Sequence, residues 1–207
     1  MLVYSTPTIL HITGATLMNW ERSGSPKVVG ECYGRSLVSQ NFRNCETSKE
    51  TDYALFQAKN ASVIFPITSD GNVITVKQYR FGSCKEQTEI PSGTLNTGES
   101  GLAAALRELK EETGYEPGKI INLSPNSPSG GLFVDAPAFF MCLHFVFLAL
   151  DCKKTGEQKL DQEEKLTVRL IPLNEWVKMC LNGQIDDQTS LSITFLAMGK
   201  LGIKFND

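Results

Sequence analysis

The chain has 207 residues, 41% of them hydrophobic and 21% charged, with a formal net charge of -3 and a pI near 5.5. This suits one globular domain with room for a small N-terminal extension, and it argues against the basic face that a broad nucleic-acid interface needs. An acidic balance leaves small anionic ligands open, because a divalent metal recruits phosphates to carboxylates.

Residues 1 to 50 show weak alternation and turn formers such as SGSPK and NCETSKE. The opening MLVYSTPTILHITGATLMNW has no Lys or Arg and so lacks the basic start of a signal peptide. From Tyr53 the strand signal strengthens through DYALFQ, ASVIFPI and NVITVKQYR, with SDGN as a turn between the last two. A helix is expected from about Gly98 to Thr113, closed by Gly114 in a left-handed conformation. A strand at KIINLS and a long loop, PNSPSGGLFVDAPA, follow it. FFMCLHFVFLAL is too short to span a membrane and reads as a buried strand. DCKKTGEQKLDQEE is a polar loop, KLTVRLIPL a further strand, and helices near 173 to 182 and 187 to 200 close the sequence. The six cysteines are scattered without a CxxC pair, as in reduced cytosolic chains. A cytoplasmic protein with no membrane partner and no nucleic-acid partner is therefore expected. Strands around one central helix, with helices at the end, predict an α/β fold with a mixed sheet between helical layers.

The helix itself carries the chemistry. At 3.6 residues per turn, Leu102, Leu106 and Leu109 with Ala105 form the stripe expected to face the core. Glu108, Glu111 and Glu112 gather on the other side, which an ordinary amphipathic helix would give to water. Crowded like charges repel, and glycines in or near a helix are unfavourable unless the backbone needs them. Gly93, Glu99, Arg107, Glu108, Leu109, Glu111, Glu112, Gly114 and Tyr115 also fit the spacing G-x5-E-x7-R-E-U-x-E-E-x-G-U, where U is usually aliphatic. At ordinary residue frequencies that match arises by chance on the order of once per billion start positions.

These residues resemble the signature box of the Nudix hydrolases, and the resemblance runs from about Val63 to Met198. It implies an α/β/α sandwich and metal-dependent hydrolysis of a nucleoside diphosphate linked to another group. Glu108 and Glu112 would be the principal ligands of Mg²⁺ or Mn²⁺, with Glu111 helping to bind or bridge a metal. Arg107 would hold a glutamate in orientation, and Ser92 would offer its backbone carbonyl to a metal. Glu99 would support the loop and helix.

VKQYR and EIPSG are similar to the ADP-ribose pyrophosphatase branch of that family. By that resemblance Arg80 contacts diphosphate or ribose, and Glu89 contacts ribose or a water on the metal. Arg80 reads equally well as a strand-end surface charge. LDQEEKLTV matches the region where the branch places its catalytic base, with Glu164 as the best register and Glu163 beside it; as bare sequence it is a charged hairpin loop. Pro128 is the candidate for a proline the branch carries beyond the box. Tyr53 is the candidate aromatic platform for the base, or else an ordinary strand aromatic. His144 reads as a core histidine, and His11 has no identifiable partner.

The expected organisation is an N-terminal β extension over residues 1–60, not independent, and a Nudix hydrolase domain over 61–207. The expected substrate is ADP-ribose or another nucleoside diphosphate sugar, cleaved to a nucleoside monophosphate and a sugar phosphate. The alternatives are a Nudix hydrolase for a nucleoside triphosphate or dinucleotide, and a non-catalytic nucleotide-binding regulatory module. By the same resemblance a homodimer is expected, paired through the N-terminal strands, the alternative being a strand layer folded onto its own subunit.

Overall fold

The computed structural model describes residues 19–127, 131–133, 137–161 and 165–203. Three strands, β1 (Trp20–Cys32), β2 (Arg35–Asn44) and β3 (Glu50–Gln57), form an antiparallel sheet of their own in the order β1-β2-β3. The sequence made this region hard to read because SGSPK lies inside a strand. Gly24 has φ +70, and the β1–β2 register shifts between Ser23 and Lys27. The buried Gln40 side chain donates to the carbonyls of Ser23 and Gly24 at 3.2 and 3.3 Å, which satisfies acceptors the irregularity leaves over. NCETSKE is the expected turn, fastened by Asn44 Oδ1, which accepts from the backbone N–H of Glu46 and Thr47.

The remaining strands build a nine-stranded sheet. Its elements are β4 (Ala61–Thr68), β5 (Asn72–Arg80), β6 (Lys85–Glu89), β7 (Ser92–Thr94), helix α1 (Gly101–Thr113), β8 (Tyr115–Glu116), β9 (Lys119–Asn122), β10 (Leu132–Phe133), β11 (Leu143–Lys154), β12 (Leu166–Pro172), and helices α2 (Leu173–Leu181) and α3 (Gln188–Leu201). The path runs β10-β11-β4-β5-β12, with β11 parallel to β4 and the other pairs antiparallel, so the sheet is mixed as expected. β4 and β5 share only the pair Ile67↔Val73 beside their hairpin, and beyond it β4 pairs with β7 while β5 pairs with β6. The strands that carry Arg80, Glu89 and Ser92 are thus grouped beyond that hairpin.

Both faces of the sheet are covered. Ile64, Ile74, Phe147, Ala149 and Cys152 pack with Ala105 and Leu109 of α1 on one side. On the other, Phe65, Val73, Leu148 and Ile171 pack with Trp176 of α2 and with Ile193, Ala197 and Met198 of α3. Buried on both faces, β4 reads as a continuous apolar run rather than an alternation. Trp176 is fully buried, and its indole N–H donates to Thr194 Oγ1 at 2.9 Å. The three-stranded sheet joins this body at Phe56, whose N–H donates to Phe139 O at 2.7 Å and whose carbonyl accepts from Met141 N–H at 2.8 Å.

The helix face differs from the sequence expectation. Leu102 is 42% exposed and Leu106 is half-buried, whereas Gly101, Ala104, Ala105, Glu108, Leu109 and Glu112 are buried. The buried stripe runs through two glutamates instead of two leucines. A steric reason lies at the first turn. A Cβ on Gly101 would lie 2.9 Å or less from atoms of the Phe145 side chain, so the helix enters with its smallest residue against β11. Ser62 Oγ sits beside this contact and donates within reach of Gly101 O (2.8 Å) and Phe145 O (3.1 Å). The helix begins at Gly101 rather than Gly98, capped by Ser100 Oγ accepting from Ala103 N–H, and it ends at Gly114 with φ +76. Among the described residues no helix is long and apolar enough to cross a membrane.

Candidate active site

Arg107 is the centre of the carboxylate group. Its Nε and Nη2 donate to the two oxygens of Glu99, each at 2.9 Å, and Nη2 also reaches Thr94 O at 3.0 Å. Its Nη1 donates to Glu108 Oε1 at 2.6 Å and to Glu111 Oε2 at 3.1 Å. One guanidinium therefore orders three carboxylates, which its planar fork suits better than a point charge would. The Glu99 pair first of all, then the bonds to Glu108 and Glu111, hold Arg107 protonated far above neutrality against its desolvation. In return the Arg107 bond, aided by Asn96 N–H, pulls the Glu99 carboxyl down to about 2.

Glu108 and Glu112 are 9% and 4% exposed. Burying ionised carboxylates costs several kcal/mol each unless partners compensate. Arg107 serves Glu108, and Ser92 N–H donates to Glu112 Oε2 at 3.1 Å. Glu111 keeps 42% of its side chain in water. Gly93 explains its own identity: a Cβ there would lie 2.5 Å from Glu108 Oε2 and closer to Oε1 and Cδ. The space a side chain would fill holds the Glu108 carboxylate. Opening glycine and buried glutamate thus form one cradle, set by the β4–β7 pair Ser62↔Gly93 beneath the helix.

β5 and β6 supply a second ion pair. Arg80 Nε lies 2.9 Å from both oxygens of Glu89, and Nη2 lies 2.6 Å from Glu89 Oε2. Glu89 is 4% exposed, while 44% of the Arg80 side chain reaches solvent. Desolvation is the largest influence on Arg80 and acts to lower its pKa. The bond to Glu89 and the charges of Glu89, Glu112 and Asp187 outweigh it, so the net direction is upward. Sensitivity to Glu112 places Arg80 within the electrostatic reach of the helix carboxylates. Arg80 is thus a half-exposed strand-end arginine anchored on a buried carboxylate.

Two contributors were not singled out in the sequence. Gln78, two residues before Arg80 and so on the same strand face, donates to Glu89 Oε2 at 3.3 Å. Asp187, whose charge Arg80 feels, caps α3 by accepting from Ser190 N–H at 2.8 Å. Period-two spacing and the N-cap signal before α3 were available for both. Tyr53 lies on the three-stranded sheet, 46% exposed, with its ring edge-on to Phe42 at 5.6 Å. Glu163, Glu164, Pro128 and His11 lie outside the described residues. His144 sits on β11 opposite Ala61, half-buried.

The donor set fits a hard divalent cation. Among the described residues no three His, Cys, Asp or Glu side chains converge on one point. Mg²⁺ does not need three, because it keeps several waters and binds through one or two carboxylates. Glu108 and Glu111 already share one cationic nitrogen of Arg107, and all the oxygens on offer are hard donors.

The NUDIX domain model matches residues 57–190. The chain is 31% identical over 140 residues to the ADP-ribose pyrophosphatase of Bacillus subtilis (strain 168), covering 67% of this chain and 72% of that protein. It is 30% identical over 156 residues to the methanol dehydrogenase activator of Bacillus methanolicus, covering 75% and 80%. In fold it is similar to the crystal structure of an ADP compounds hydrolase, with a TM-score of 0.74 over 91% of this chain and 97% of that one, at 21% identity. With the domain matched across more than half its length, this chain belongs to the Nudix hydrolase family.

Proposed function

We propose that this chain is a divalent-metal-dependent pyrophosphohydrolase that cleaves ADP-ribose or a related nucleoside diphosphate sugar to a nucleoside monophosphate and a sugar phosphate. One observation carries the reading: Glu108 and Glu112, one helical turn apart, are buried where an amphipathic helix should place leucines. Two adjacent carboxylates held out of water by Arg107 and Ser92 are the arrangement a hard divalent cation would need. The similarity to an ADP-ribose pyrophosphatase supports the substrate class.

In this reading Glu108 and Glu112 are the principal ligands, Glu111 assists, and the Ser92 carbonyl completes the set. When bound, Mg²⁺ or Mn²⁺ would neutralise the diphosphate oxygens and lower the pKa of its water. Arg107 fixes the direction of Glu108 and Glu111. Arg80, held on buried Glu89, presents its exposed edge to diphosphate or ribose. Glu164, with Glu163 as neighbour, is the proposed general base that takes the proton of the attacking water. Water adds to one phosphorus, the bridging P–O bond breaks, and the leaving phosphate departs with the sugar.

The N-terminal extension, residues 1–60, is proposed to pair two subunits and to bring Tyr53 towards the base of the substrate. Its sheet supports this with few buried side chains, Val38, Gln40 and Leu55, and with exposed Val28, Val29 and Tyr33. The deciding experiment incubates the protein with ADP-ribose, other nucleoside diphosphate sugars, dinucleotides and nucleoside triphosphates, with Mg²⁺, Mn²⁺ or chelator. Mass spectrometry should find AMP and ribose phosphate from ADP-ribose only when metal is present. Turnover confined to triphosphates or dinucleotides would overturn the substrate, and no turnover of any compound would overturn the enzyme.

A further inference from the structure

The last carbonyls of an α-helix have no partner within the helix. In α1, Gly114 N–H bonds to Lys110 O at 2.8 Å. The next two carbonyls belong to Glu111 and Glu112, and their donors come from the segment after β11. Lys159 N–H donates to Glu111 O at 2.8 Å, and Gln158 Nε2 donates to Glu112 O at 2.7 Å. Thr155 and Gly156 N–H both donate to Gly114 O, at 2.9 and 3.2 Å. Residues 155–159 thus form a strap across the end of the helix. It comes so close that a Cβ on Gly114 would press on the Gly156 carbonyl, with its carbon at 3.0 Å. The strap gives the closing glycine of the box a reason beyond its φ of +76.

We infer that Gln158 is a positioning residue for the metal site, holding the main chain of Glu112 so that its carboxylate stays at ligating register. The inference rests on the assignment of Glu112 as a ligand. The Glu112 carbonyl is held by the Gln158 amide and its carboxylate by Ser92 N–H. Among the described residues, the Gln158 bond to Glu112 O is made by a side chain. The bonds from Thr155, Gly156 and Lys159 use backbone N–H groups, so the strap stays docked when Gln158 changes. Losing the amide donor removes that restraint on the Glu112 carbonyl, and a buried side chain shifts with its Cα. Partners that orient a ligand typically contribute 10- to 100-fold in metal affinity.

The test uses the full chain. Mn²⁺ binding is followed by electron paramagnetic resonance of the free ion, and thermal melting is recorded without metal. Gln158→Met keeps length and removes the donor; it should weaken Mn²⁺ binding about tenfold. It should also raise the Mg²⁺ needed for half-maximal turnover by a similar factor, with substrate KM unchanged. Gln158→Lys, long enough to donate to the same carbonyl, should recover most of the loss. If Gln158→Met lowers the melting temperature but binds Mn²⁺ within twofold of wild type, the bond is a helix cap and the proposal fails. Glu112→Gln separates that failure from a wrong ligand assignment. Normal Mn²⁺ binding by Glu112→Gln, or none by the wild type, would sink the ligand and with it the role of Gln158.

Discussion

Gly93→Ala isolates the cradle from the fold. The new methyl would meet the Glu108 carboxylate at 2.5 Å or less, and ordinary contact begins near 3.4 Å. The carboxylate must therefore withdraw by at least about 1 Å, and a shift of that size away from Arg107 would stretch the 2.6 Å bond beyond hydrogen-bonding range. The obstacle is the end of a flexible side chain, so the backbone need not move. Losing one hydrogen bond between charged groups costs about 1.5 to 3 kcal/mol. Reduced freedom of the unfolded chain returns about 0.4 to 1 kcal/mol. A net loss of about 0.5 to 2.6 kcal/mol lowers the melting temperature of a chain this size by about 1 to 10 °C. Chemistry is far less tolerant, because a displacement of about 1 Å at a reacting centre costs on the order of 100-fold. Steady-state kinetics at saturating Mg²⁺ and 25 °C should show that loss in kcat, with calorimetry reporting a folded protein. Turnover within about threefold of wild type would show that Glu108 has no need of its observed position.

Glu112→Gln keeps an acceptor for Ser92 N–H but removes the charge, so turnover should fall at least about 100-fold while metal-free melting is unchanged or slightly raised, since repulsion within the carboxylate group is relieved; full activity would refute the ligand role. Glu99, held at about 2 in the folded state, contributes stability that is complete above its ordinary value of 4.5 and disappears as pH falls towards about 2. The melting-temperature gap between wild type and Glu99→Gln should accordingly be constant at neutral pH and narrow below about pH 4.5; a gap independent of pH down to 2 would contradict the Arg107 pairing. Light scattering at micromolar concentration should report about twice the 22.8 kDa chain mass, and removal of residues 1–50 should leave monomers with weakened substrate affinity. A fully active monomer would rule out pairing through the extension.

The fold was legible where local signals agree. NVITVKQYR is β5 from its first residue to its last, and Gly114 closes α1 in the left-handed conformation expected of it. Legibility failed in β1, because SGSP reads as a turn and is instead an irregularity inside a strand. The irregularity is bridged by Gln40, a residue 16 positions beyond Gly24, and no window of neighbouring residues contains the bond. The strap has the same character. Gln158 lies 46 residues from Glu112, and in the sequence it stands in a polar stretch with nothing to mark it.

The leucine stripe misled for a different reason. Binary pattern assigns apolar residues to the core because burial of a charge is unfavourable, and that holds when nothing compensates the charge. In α1 the compensation comes from Arg107 on the same helix and from Ser92 on β7, so Leu102 can face solvent while Glu108 and Glu112 go inward. The glycines that frame the box carried this information in a form periodicity does not read. Gly93 leaves room for a carboxylate, Gly101 brings the helix against Phe145, and Gly114 admits the strap. Each removes a side chain so that another group can come close. A helix whose local pattern and buried face disagree, with the disagreement centred on carboxylates and enabled by glycines, is what the proposed site would require of this fold.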